Sequence, residues 1–158
     1  MDAYLFRQLN FVRGQVLKQL QGVTEEAADR IPDGFRNSIR WNAGHIYVVL
    51  ERYAFLYTGL PLYLPEGFKE QFEFNTSPPT RPDGVRVPTL PELEQLMSGQ
   101  LGRIQEALGD RLSERLANPY TTSTGMTLET PEQFLSFNLY HEGMHMSVIK
   151  LYKKLLGV

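Results

Sequence analysis

Thr130-Pro131-Glu132-Gln133-Phe134-Leu135-Ser136-Phe137-Asn138-Leu139-Tyr140-His141-Glu142-Gly143-Met144-His145 is the stretch that decides how this chain is read. Thr130 reads as a helix N-cap, Pro131 as a first helical residue whose missing N–H would have no partner there anyway, and Gln133 as the return half of a capping box. Beyond the cap, Phe134, Phe137, Asn138, His141, His145, Val148 and Tyr152 recur with the helical period and share one face. A long helix with such a face needs other helices to cover it.

Three further segments supply them. Leu5, Leu9, Val12, Val16 and Leu20 form one stripe, with Asp2 as N-cap and Gly22 as stop. A second segment opens at Asn37 or Ser38, carries Trp41, Gly44, His45, Val48, Val49, Arg52, Phe55 and Leu56, and stops at Gly59. The third starts at Thr89 with Glu92 completing a capping box, and runs through Leu93, Leu96, Met97, Ile104 and Leu108 to Gly109. No segment shows sustained period-two alternation. The expected fold is all-α, a four-helix bundle forming a single domain over residues 1–158.

The connections refine this expectation. Residues 60–88 hold six of the ten prolines, at positions 61, 65, 78, 79, 82 and 88, which rules out a long helix there. A connection of that length can cross the whole bundle and let the second and third helices run parallel. Its aromatic residues, Tyr63, Phe68, Phe72 and Phe74, point to a packed flap or pocket wall. Residues 118–129, rich in Thr, form a second irregular connection.

Composition excludes several functions. Sixteen basic and 18 acidic side chains leave a net charge of −2, with no basic run to neutralise phosphates, so nucleic-acid binding is not expected. No stretch approaches the ~18 continuous apolar residues of a membrane span, and Met1-Asp2-Ala3-Tyr4 leads straight into the first amphipathic pattern, so a cytoplasmic protein is expected. The absence of cysteine excludes disulfides, thiolate metal sites and a thiol nucleophile from the protein itself.

The three histidines carry the functional reading. His141 and His145 lie four residues apart on one helix face, about 6 Å along the axis, a spacing at which two imidazoles can close on one ion. His45 lies on the stripe of Trp41, Val48 and Phe55. If the second and fourth helices are antiparallel, His45 lies roughly 21 Å from the end of its helix, against roughly 16 Å and 22 Å into the fourth helix for His141 and His145. The depths agree within a turn, so all three can meet. Few inward carboxylates compete, and a three-histidine divalent metal site is the expected outcome.

These residues also resemble a known family. Asn37-Ser38-Ile39-Arg40-Trp41-Asn42-Ala43-Gly44-His45-Ile46, together with His141-Glu142-Gly143-Met144-His145, is similar to the DinB-like superfamily of metal-binding four-helix bundles. That superfamily includes YfiT-type metal-dependent hydrolases and bacillithiol and mycothiol S-transferases. The resemblance spans essentially the whole chain. It implies His45, His141 and His145 as ligands of one divalent ion, commonly zinc or nickel, and a homodimer. Where members frequently follow the last histidine with a small residue and Gln, this chain has Met146-Ser147-Val148.

Three imidazoles leave a coordination position open, the mark of a catalytic site. Bound water could be acidified for hydrolysis, or an external low-molecular-weight thiol could be deprotonated, the route that fits a chain without cysteine. Asn42 and Asn138 each precede a candidate ligand by three residues and could orient water or substrate, or hold an imidazole. Glu142 and Glu51 could act as base, or could simply be solvated. Arg40 and Arg52 flank His45 and could hold an anionic substrate. The expected activity is metal-dependent thiol S-transfer or hydrolysis of a small molecule. The alternative is a non-catalytic bundle, either metal-binding or a damage-inducible interaction module. A ferritin-like di-metal site would need a pair of Glu-x-x-His motifs backed by further glutamates, a set this chain does not hold.

Overall fold

The computed structural model describes residues 4–158; the expected cap Asp2 lies outside them. Four long helices carry the fold: α1 (Tyr4–Leu20), α3 (Ile39–Glu51), α5 (Leu90–Leu108) and α6 (Pro131–Leu156). Two single-turn helices, α2 (Glu25–Asp29) and α4 (Phe68–Phe72), lie in the connections.

Capping accounts for the starts. Ser38, rather than Asn37, caps α3 by accepting from the Trp41 N–H, and Thr89 and Glu92 form the expected reciprocal box on α5. At α6 Thr130 accepts from the Gln133 N–H, but the Gln133 side chain accepts from the Glu129 N–H, one residue earlier than a capping box requires. The second segment is not α-helical throughout. Beyond Glu51 the chain widens into a π-helical turn over Arg52–Leu56, in which the Tyr57 N–H reaches the Arg52 carbonyl. Residues 118–129 also contain a two-residue antiparallel hairpin, β1 (Tyr120–Thr121) with β2 (Thr127–Leu128), too short to register as alternation.

Contacts between helices fix their directions. Along α3 and α5, Arg40 donates to the Pro88 carbonyl, Gln100 to the Tyr47 carbonyl, and Arg103 to Glu51, so the two helices run parallel. Helices α1 and α6 are also parallel, joined by Arg13 to Glu142 and by Lys153 to the Gln19 carbonyl. Asn42 meets His145 and Tyr53 meets Phe134, which makes α3 and α6 antiparallel. The long 60–88 connection is therefore the crossover expected between the second and third long helices.

A polar layer divides the core. One apolar half gathers Val16, Leu20, Leu93 and Met97, the other Leu5, Leu9, Leu101 and Ile104. Between them Arg13, Gln100, Glu51, Glu142 and Asn138 are all buried. Arg13 forks onto both Glu142 oxygens at 2.7 and 3.1 Å and donates to Gln100, which donates on to Glu51, itself paired with Arg103. Each buried charge thus has an opposite partner, without which its burial would be strongly unfavourable. Among the described residues no helix is long and apolar enough to cross a membrane.

Candidate metal centre

The three histidines converge. His45 comes from α3 and His141 and His145 from α6, and their candidate ligand nitrogens all lie within 4.8 Å of one another. The antiparallel packing of α3 against α6 and the four-residue spacing on α6 bring them together.

Hydrogen bonds on the far side of two rings decide which nitrogen faces the centre. Nδ1 of His45 lies 2.6 Å from the Phe72 carbonyl oxygen, which can only accept, so Nδ1 carries the proton and Nε2 the lone pair. Nδ1 of His145 lies 2.7 Å from Oδ1 of Asn42 and donates in the same way. The Asn42 amide is oriented from its other end, where Nδ2 donates to the Ser38 carbonyl. Nδ1 of His141 is buried without a hydrogen-bond partner, while its Nε2 lies 3.3 Å from Nε2 of His45. Two imidazole nitrogens sharing a tetrahedral ion at ordinary zinc–nitrogen bond lengths would stand roughly 3.3 Å apart. The donor set therefore fits a divalent ion.

Burial keeps the set neutral. Loss of hydration, followed by repulsion from neighbouring imidazoles, pushes His141 down to about 2 and His145 to about 4. His45 is lowered chiefly by burial, against the opposing pull of the Phe72 carbonyl and Glu73. Neutral imidazoles are the form that binds metal.

Close packing supports this side of the bundle. Trp41 stacks on the His45 ring at 4.5 Å between centroids and donates its indole N–H to Thr76. Opposite, Gly44 lets α4 approach so tightly that a Cβ there would fall 2.4 Å from the Phe72 ring. That approach is what delivers the Phe72 carbonyl to His45. The histidines open onto a cavity of about 330 Å3, walled by Val49, Tyr53, Phe137, Tyr140 and Met144 and bordered by residues 122–124 of the hairpin loop. Arg52 lies on its side. A larger groove, about 1030 Å3, runs beside it between α1, α6 and the hairpin and contains none of the histidines.

Other sequence candidates are placed differently. Asn138 is fully buried and turned to Glu142, to which its Nδ2 donates at 3.0 Å, so it does not reach the cavity to orient water or substrate. Glu142 is neither solvated nor aimed into the cavity as a base, because both its oxygens are held by Arg13. Glu51 is likewise fully buried and held by Arg103 and Gln100. Two inward carboxylates thus exist among the described residues, and arginines neutralise both, so neither competes for the ion. Arg40 holds α2, through Asp29 and Glu25, and the Pro88 carbonyl, so it is an anchor between elements.

Two features of the site were not anticipated. The Phe72 carbonyl could have been suspected only through Gly44, a glycine inside a strong helical pattern, which often marks close backbone approach. Arg13 lies four residues after Leu9 and three before Val16, on the apolar face of α1, and that spacing is the one signal in the chain that marks it as buried.

Comparison with known proteins agrees with this architecture. A family model described as the DinB superfamily matches residues 8–149. A crystal structure described as a conserved protein from Enterococcus faecalis superposes with a TM-score of 0.72, covering 99% of this chain and 98% of the other at 14% identity. That likeness is one of fold. No curated protein sequence matches the chain significantly.

Proposed function

The chain belongs to the DinB superfamily, and from that premise we propose that it is a metal-dependent enzyme that transfers a low-molecular-weight thiol to a small electrophile. The observation that carries the reading is the set of three imidazoles, two with Nδ1 held by outward acceptors, whose candidate ligand nitrogens lie within 4.8 Å of one another beside a cavity of about 330 Å3. Three ligands of this kind leave a position for an exogenous group.

His45, His141 and His145 would hold a divalent ion, zinc or nickel, whose Lewis acidity would make a thiol or water more acidic. Asn42 and the Phe72 carbonyl hold the His145 and His45 rings in the ligating tautomer. Tyr53, Phe137 and Met144 bound the space in which the electrophile sits and restrict water. Among the described residues no Asp or Glu lines this cavity. Water activation would profit from such a base, whereas a thiol, with an ordinary pKa near 8.5, needs less help. The absence of cysteine supports the same choice, because the chain has no thiol of its own to compete. The reading includes a homodimer, supported by the apolar side chains of Phe11, Tyr140 and Leu155 that stand exposed on α1 and α6.

The test incubates zinc- or nickel-loaded protein with monobromobimane and with a nitrophenyl ester, each with and without a small thiol. Metal-dependent acceleration of the thiol–bimane reaction above the uncatalysed rate is expected. Ester turnover without thiol would make the protein a hydrolase, and no acceleration with either would leave a metal-binding bundle without catalysis.

A further inference from the structure

The metal cavity holds one permanently cationic side chain among the described residues that line it, Arg52, and no acidic one. Arg52 follows His45 by seven residues on the same face, about 10 Å along the helix axis. It opens the π-helical turn, a local departure from α-geometry found often at functional sites. Its guanidinium is fixed from outside the cavity. Nη1 donates to Glu73, Nη2 to the Tyr57 hydroxyl, and the group lies 5.4 Å from the centre of the Tyr57 ring. A guanidinium has five N–H donors, so these two contacts orient the fork and leave donors for another acceptor. Glu73 does not line the cavity.

We propose that Arg52 is an anion subsite of the metal cavity and that the molecule bound there carries a carboxylate besides the group that engages the metal. This rests on the metal-centre reading above. The planar fork favours a carboxylate, which can accept two parallel bonds. A single guanidinium already partly offset by Glu73 suits a singly charged group better than a phosphate. Tyr53 and Phe137 supply apolar walls for the body of the molecule between its two polar ends.

The test uses cobalt(II)-loaded protein and a series of straight-chain ω-mercaptocarboxylates of increasing length, each paired with its carboxamide. Thiol binding is read from the thiolate-to-cobalt charge-transfer band. At the chain length that spans the two sites, the carboxylate is expected to bind about tenfold more tightly than its amide, the size of one hydrogen-bonded charge pair at a partly exposed site. Arg52→Gln abolishes that preference and leaves amide affinity unchanged, Arg52→Lys restores part of it, and Glu73→Gln strengthens carboxylate binding several-fold. Should Arg52→Gln fail to fold, Glu73→Gln still decides. Equal affinity of acid and amide at every length, a preference that survives Arg52→Gln, or a Glu73→Gln protein that binds carboxylate no better overturns the anion subsite while the metal centre stands. Failure of wild-type protein to take up cobalt overturns the metal centre and this inference with it.

Discussion

Oδ1 of Asn42 accepts from Nδ1 of His145 at 2.7 Å, tying α3 to α6 beside the three-histidine cluster. The bond selects the tautomer whose Nε2 faces His45 and His141. Replacing Asn42 with Ala is therefore expected to weaken metal binding by about 10- to 100-fold while leaving helical content unchanged. Competition against a chromophoric chelator measures this, and unaltered affinity would show that ring packing alone holds His145.

His141→Ala leaves two imidazoles, one from each helix. Protein purified and dialysed with this change is expected to retain no stoichiometric metal by elemental analysis, and the wild type to retain one ion per chain. Full retention would exclude His141 as a ligand.

Gly44 tests the contact beneath His45. A methyl group there would stand 2.4 Å from the buried Phe72 ring and force α4 away. Gly44→Ala is expected to cost about 1–3 kcal/mol in chemical denaturation, and to weaken metal binding because the Phe72 carbonyl retreats from His45. Gain of stability, as for an ordinary helical Gly→Ala change, would contradict the observed approach.

The Arg13–Glu142 pair predicts strong coupling. Glu142→Leu alone leaves a buried guanidinium without its counter-charge and is expected to lose roughly 3–5 kcal/mol. Adding Arg13→Met should restore much of that loss. A double variant no better than the single one would show that the layer specifies packing beyond charge balance.

At the start of α5, Arg86 and the Thr89 backbone hold the exposed Glu92 carboxyl down to about 2 from an ordinary 4.5. The unfolded chain therefore binds the extra proton first, so this contribution is complete above about 4.5 and is lost as pH falls toward about 2. Wild type is expected to melt at a higher temperature than Glu92→Gln near neutrality, with the gap closing in acid. A constant gap between pH 6 and pH 2 would remove the carboxylate as its cause.

Much of the fold is legible in single residues. Ser38, Thr89 and Thr130 announce three helix starts, and the prolines of residues 60–88 announce the crossover. His141 and His145 declare themselves by spacing, and His45 by its stripe. The π-helical turn after Glu51 is invisible, because its residues continue the helical period and only the hydrogen-bond register changes. Glu142 is neither base nor solvated for a different reason. It neighbours His141 in sequence, but a helix turns by about 100° per residue, which carries its carboxylate away from the cavity and onto Arg13.

By itself, then, the sequence determined the four long helices, the starts of three of them and the residues able to bind a metal, because caps and periodicity act through neighbours a few positions apart. Tertiary structure alone decided that Phe72 and Asn42 orient the imidazoles, that arginines neutralise Glu142 and Glu51, and that Arg52 faces the same cavity as the histidines. Arg13 and Glu142 stand 129 residues apart, and partners at that separation meet only through the packing of helix against helix, for which no local pattern in the chain is needed.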